Sequence, residues 1–306
     1  MRHNHRIRVL ARILKNAGYM SDLVSRVLNN QKSAPSQTEQ VPYSTLGVSL
    51  GPGTSVMIPA NPVKPDGSVD FVISFKAIGV GDTKGAGRMG TNAVVISTYL
   101  PDKKDEAGKI KFASYKKYGA HFVNRAIAAV LSVLQKATPD RKLSKGKLAI
   151  MWWSGGYTAG SQILREMPGE VDAAISIDGM HSGYSEESKD RSLAPFIQFA
   201  EAARQDPNKQ FIMISTGVEP TNYAGTAETA QHVAQRVGLD TAMQTPSGDY
   251  VGNAPSGIAS SNGLSWIQFV PPSERPGHYS LRQMKRQHGD AYRWGRDNIN
   301  QLLGWN

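Results

Sequence analysis

The chain has 306 residues, of which 40% are hydrophobic and 20% charged, with a formal net charge of +10 and no cysteine. That length and balance suit one large α/β domain with a short extension, able to bury its core without staples. Disulfides, thiolate metal sites and a cysteine nucleophile are excluded, and no apolar run reaches the ~18 residues of a transmembrane helix.

Much of the charge excess is local. Residues 1–35 carry Arg2, Arg6, Arg8, Arg12, Lys15, Arg26 and Lys32 against Asp22 alone, a local charge of +6. Such a segment suits docking to an anionic surface or nucleic acid, or simply a solvated helix face. The opening MRHNHRIRVLARILKNAGY has no continuous apolar stretch and no small-residue cleavage site. It does not read as a secretory signal, and a cytoplasmic or particle-associated protein is expected. Ile7, Leu10, Ile13, Leu14, Ala17, Leu23, Val24, Val27 and Leu28 recur at helical spacing, with Gly18 dividing the segment into two helices. NNQKSAPSQTEQVP (29–42) is polar, holds two prolines and reads as a linker. Residues 1–40 are thus expected to form a basic helical extension, and residues 41–306 the main domain.

From residue 43 short apolar runs alternate with helical patterns. Strands are predicted around 56–59, over 69–78 (VDFVISFKAI) and over 93–100 (AVVISTYL). A helix is predicted over 119–136, with Phe122, Ala126, Ala129, Val133 and Leu134 on one face. Then follow strand 148–153, helix 158–167, strand 171–177, helix 194–204, strand 211–215, helix 227–237, strand 264–270 and a terminal helical pattern. Strands that are apolar throughout, interleaved with helices, imply a mostly parallel, doubly wound α/β sheet covered on both faces.

The stretch LAIMWWSGGYTAGSQIL (148–164) runs from an apolar strand into Ser154, two glycines and a helix. A serine in such a strand-to-helix turn stands above the sheet edge, where the helix that follows aims backbone N–H groups. The usual pattern is G-x-S-x-G. Here Trp152 replaces the first glycine, while Gly155 and Gly156 follow the serine. So large a side chain must find space, or the turn is less tight. The order strand, SGGY, helix, strand, ISIDGMHSGY resembles the α/β-hydrolase fold, and more narrowly hydrolases with an S-G-G-[YG] elbow and a strand-end Asp. The resemblance spans about residues 65–306.

It implies a serine hydrolase with a Ser-acid-His order, no cofactor and no metal, acting on an ester more readily than on an amide. Ser154 is the implied nucleophile. The acid is Asp178, at the tip of VDAAISI, or Glu219, after FIMISTGVE, with Asp178 favoured. Asp178 equally fits the start of a turn before Gly179. The base is His278, in RPGHYS, or His288. The sequence ranks His278 slightly ahead. His288 falls on the inward face of a helical pattern with Leu281, Met284, Ala291 and Tyr292, or stands on a loop if Gly289 breaks that helix. Oxyanion donors are expected from Gly155 and from the glycine-rich loop after the early strand, at Ala77 or Ile78. Related hydrolases tend to carry a His-Gly pair in that loop, and this chain has Lys76-Ala77-Ile78-Gly79. Trp153, Tyr157 and His181 are candidate pocket residues, and Trp152, Tyr184 and Tyr223 also fall near strand ends.

GVGDTKGAG (79–87) does not match G-x-x-x-x-G-K-[ST], and no H-E-x-x-H or comparable metal spacing appears. A second reading stays open: a catalytically inactive binding protein on the same fold, docked to an anionic partner by its basic N-terminus. Trp152 and the missing His-Gly pair suit it. The sequence leaves the oligomeric state undetermined.

Overall fold

The computed structural model describes residues 42–76, 81, 83–106, 110–111, 113–218, 220, 222–242, 257–269 and 281–305. The basic segment 1–35 and the expected linker 29–42, except for Pro42, lie outside the described residues.

Nine strands form one sheet. In chain order they are β1 (Tyr43–Thr45), β2 (Thr54–Pro59), β3 (Ser68–Phe75), β4 (Val94–Thr98), β7 (Ser144–Trp153), β8 (Ala173–Ile177), β9 (Gln210–Ser215), β10 (Gly257–Ser261) and β11 (Leu264–Gln268). Two short strands, β5 (Lys103–Lys104) and β6 (Ile110–Lys111), pair apart from it. The spatial order is β1-β2-β4-β3-β7-β8-β9-β11-β10. β3, β4, β7, β8, β9 and β11 run parallel, and β1, β2 and β10 join antiparallel at the edges. This is the mostly parallel, doubly wound α/β sheet that the sequence pattern predicts.

The central strands are buried on both sides, which is why they read as unbroken apolar runs rather than alternating ones. Their side chains still alternate between two cores. Phe71, Ile73, Phe75, Ile150 and Trp152 face one core, and Val72, Met151, Trp153, Ile175, Ile177 and Ile214 face the other.

The first face is covered by α2 (Ala120–Ala137), α3 (Tyr157–Glu166), α4 (Glu186–Gln205) and α5 (Thr226–Arg236). The second is covered by α1 (Thr83–Gly87), α6 (Leu281–Asp297) and α7 (Ile299–Leu303). α4 begins eight residues before the sequence pattern places its start. The segment EESKDRSL has no apolar period. It is held instead by a cap, in which Ser188 N donates to Ser185 Oγ at 3.2 Å. Lys189 also bridges to Glu186 (3.0 Å) and Glu228 (2.7 Å), tying α4 to α5.

Candidate active site

Pairing register brings the parallel strands to a common edge. Phe75 pairs with Trp152, Trp153 with Ile177, and Ile177 with Ile214. The residues that follow the four central strands are therefore neighbours at one carboxyl edge: Lys76 after β3, Ser154 after β7, Asp178 after β8 and Thr216 after β9. Sites in open α/β sheets form at this edge.

Three of those four residues have left-handed backbones, with φ of 58° at Lys76, 50° at Ser154 and 44° at Asp178. Among the described residues only Asn262 shares this property without being glycine. It sits beside Gly263 (φ 78°) in the hairpin turn between β10 and β11, where such angles are ordinary. The other three have no hairpin to justify them. Each costs on the order of 1 kcal/mol or more and persists because the surroundings impose it.

The turn at Ser154 is a single 3-10 turn, Ser154–Gly156, that runs straight into α3. Gly156 is the glycine this turn requires. A Cβ there would lie 2.7 Å from the carbonyl oxygen of Phe75 at the tip of β3. Of the two alternatives for Trp152, the packing shows the first: the side chain finds space. The indole is fully buried, stacked on Phe196 at 5.4 Å, and its Nε1 donates to the Gly179 carbonyl at 2.8 Å. Room for it comes from the helix that follows: a Cβ on Gly160 would lie 2.6 Å from the indole ring. Bulk gained on the strand is matched by bulk lost on the helix.

Asp178 is 3% exposed. Its Oδ1 accepts from Thr216 N (3.2 Å), Thr216 Oγ1 (3.0 Å) and Thr226 Oγ1. Its Oδ2 lies 3.0 Å from Thr216 Oγ1 and is hydrogen-bonded to His288 Nδ1. Burial pushes this carboxyl up. The hydrogen bond and charge of His288 and the two threonine hydroxyls outweigh burial and hold it below the usual carboxylate range. Gly179 follows because the tips of β7 and β8 touch: a Cβ there would lie 2.8 Å from Trp152 Cδ1 and 3.0 Å from Ser154 N.

His288 reaches this carboxylate from the opposite layer. α6 passes unbroken through Gly289, so His288 is an inward helix residue, and the alternative that Gly289 breaks the helix is overturned. Tyr292, one turn on, packs against Trp153 with ring centroids 4.9 Å apart. Gly295, two turns on, lets the helix lie against β8 and β9, since a Cβ there would be 2.8 Å from Ile177 Cδ1 and Ile214 Cδ1. The His288 ring itself stacks on Trp153 at 4.5 Å. Trp153, expected as a pocket residue, is buried and covered by His288 and Tyr292, so it acts as the platform under the imidazole.

His181 sits with its edge against Tyr157 (5.0 Å) and Tyr223 (5.1 Å). Its Nδ1 is buried without a hydrogen-bond partner, and burial pushes the imidazole down to about 4. Tyr184 donates from its hydroxyl to the Pro220 carbonyl at 2.8 Å. Glu219, His278, Ala77 and Ile78 lie outside the described residues, as do His3 and His5. His121 is exposed on α2, and His232 is buried against Asp190 at 2.8 Å. Sequence reasoning does not reach Thr216 and Thr226, because a threonine after a strand or at a helix start carries no signal of its own. Among the described residues no group of three or more His, Asp or Glu side chains converges as a metal site. No described helix is long and apolar enough to cross a membrane.

No protein-family model matches the chain, and no curated protein matches its sequence. Among solved structures the chain is similar to a thermostable esterase, at 10% identity and a TM-score of 0.40, covering 88% of this chain and 64% of that one. It is also similar to the enterobactin esterase of Shigella flexneri (11%, TM-score 0.46, covering 89% and 65%). A third is an S-formylglutathione hydrolase from Agrobacterium tumefaciens (12%, TM-score 0.38, covering 84% and 94%). The chain spans just under two thirds of the length of the first two. At such identities the likeness is one of chain path, and what this chain does rests on its own residues.

Proposed function

We propose that the chain is a serine hydrolase that cleaves a carboxylic ester through an acyl-enzyme. Ser154 is the nucleophile, His288 the general base and Asp178 the acid that orients it. The observation that carries this reading is the hydrogen bond from His288 Nδ1 to a buried carboxylate at the strand tip next to the strained Ser154 turn.

A serine hydroxyl is a poor nucleophile until a base takes its proton. With Nδ1–H committed to Asp178, the other ring nitrogen, Nε2, is the lone-pair site that serves Ser154. Ser154 Oγ bonds to the ester carbonyl carbon as its proton passes to Nε2. The carbonyl π pair moves onto oxygen, and the oxyanion is met by the Gly155 N–H in the 3-10 turn that leads into α3. Collapse breaks the bond to the alcohol oxygen, which leaves with the proton from Nε2. Water repeats the sequence on the acyl-enzyme, releasing the acid and restoring Ser154. Asp178 stays ionised throughout and stabilises the imidazolium. The threonine hydroxyls that face it keep it so.

The test is labelling with a fluorophosphonate, wild type beside Ser154→Ala, with the modified peptide identified by mass spectrometry. Labelling at Ser154 that disappears in the variant, together with turnover of simple aryl esters, is expected. A folded wild type that takes no label would overturn the proposal.

A further inference from the structure

The third strained residue of the edge, Lys76, has no part in the steps carried by Ser154, His288, Asp178 and Gly155. It follows β3 directly, in the position from which hydrolases of this fold draw an oxyanion donor. Its backbone adopts φ 58°, beside two residues held the same way at the tips of β7 and β8. Its side chain is not sent to solvent: Lys76 is 7% exposed. The ammonium lies against the turn after the serine, where a Cβ on Gly155 would be 3.4 Å from Nζ. Asp102 holds it there, with Oδ1 at 3.5 Å and Oδ2 at 3.4 Å, and is itself anchored by the Ala113 N–H at 2.8 Å. Burying an ammonium costs much unless it is paired, and the pairing with Asp102 keeps this charge beside the Ser154 turn.

We propose that Lys76 places a fixed positive charge on the oxyanion side of the Ser154 site, where it stabilises the negative charge that develops on the carbonyl oxygen. This rests on the serine-hydrolase reading. The charge adds to the Gly155 N–H and stands at the position where the sequence lacks a His-Gly pair. Because it acts on charge present only in the transition state, its removal lowers kcat more than it raises KM.

The experiment compares wild type, Lys76→Met, Lys76→Gln and Lys76→Arg on a neutral aryl acetate and on a matched ester bearing a carboxylate. The second-order rate of fluorophosphonate labelling at Ser154 is recorded alongside, with a thermal melt of each protein. All three replacements carry the same left-handed backbone strain as lysine, so strain does not confound the comparison. In Lys76→Met, kcat on the neutral ester is expected to fall about 10²–10³-fold, with KM moving less than about threefold. Labelling should slow in parallel, and Lys76→Arg should recover part of both. Lys76→Gln keeps a donor for Asp102 without the charge. It reports the same loss if Lys76→Met fails to fold.

A Lys76→Met or Lys76→Gln enzyme within about threefold of wild type on the neutral ester overturns the assignment. So does a loss confined to the carboxylate-bearing ester, which would make Lys76 a substrate-recognition residue. A wild type that is neither labelled nor active removes the hydrolase reading itself. A labelled, active wild type beside unimpaired Lys76 variants removes only the role of Lys76.

Discussion

Replacing Asp178 by Asn keeps the volume and removes the charge, and the local hydrogen bonds decide how the amide sits. Oδ1 is surrounded by donors: the Thr216 N–H, the Thr216 hydroxyl and the Thr226 hydroxyl. An NH₂ group there would face the backbone N–H of Thr216, which cannot turn away. The amide oxygen must therefore take the Oδ1 position and the NH₂ the Oδ2 position, facing His288 Nδ1. An NH₂ donates, so Nδ1 must accept, and the ring proton moves to Nε2. That tautomer has no lone pair for the Ser154 proton. The expected loss in kcat is about 10⁴-fold. The stability cost is only about 1–3 kcal/mol, because most of the threonine hydrogen bonds survive with a neutral acceptor. The assay is ester turnover and the rate of fluorophosphonate labelling, with urea unfolding as the control for fold. An Asp178→Asn enzyme that is stable and within about tenfold of wild-type kcat would refute the reasoning.

Ser154→Gly and Ser154→Ala should both abolish turnover but differ in stability. Glycine relaxes the φ of 50° that alanine must still adopt, so Ser154→Gly is expected to be more stable than Ser154→Ala by up to about 1 kcal/mol in urea melts. Equal stabilities would mean that the turn stores no strain. His181 governs a separate pH window. Its pKa is held down to about 4 by burial, against an ordinary value of 6.5. The unfolded chain therefore binds a proton that the folded one refuses as pH falls from about 6.5 to 4. Stability should be full above that window and decline through it by up to about 3 kcal/mol. The depressed Asp178 carboxyl contributes stability that is lost only at lower pH, below the unfolded value of about 3.9. His181→Phe, which keeps ring contacts with Tyr157 and Tyr223, should flatten urea midpoints between pH 4 and 6.5. An unchanged slope would place the titration elsewhere.

The fold class was legible because its signals are local. Strands buried on both faces are apolar runs in any sequence, and Ala120–Ala137 advertises its helix by a 3.6-residue period. Elements whose hold is tertiary were not legible. β1 and β10 are edge strands of three and five residues, and the first half of α4 depends on Lys189 reaching Glu228 on another helix.

The sequence by itself put Ser154 between a buried strand and a helix and put Asp178 at a strand tip, because both follow from where an apolar run stops. It could not join either to a histidine. Asp178 and His288 are 110 residues apart, and their meeting depends on how closely α6 approaches the sheet, which Gly295 sets two turns away. The same holds for Trp152, whose space opposite the absent side chain of Gly160 is visible only in the packing. Thr216 and Lys76 enter the site only because parallel strands in register end at one edge, and Thr226 because α5 starts beside Asp178. Periodicity and chain breaks are written along the backbone. Which side chains share a site is decided by packing between layers, and packing distance has no counterpart in sequence separation.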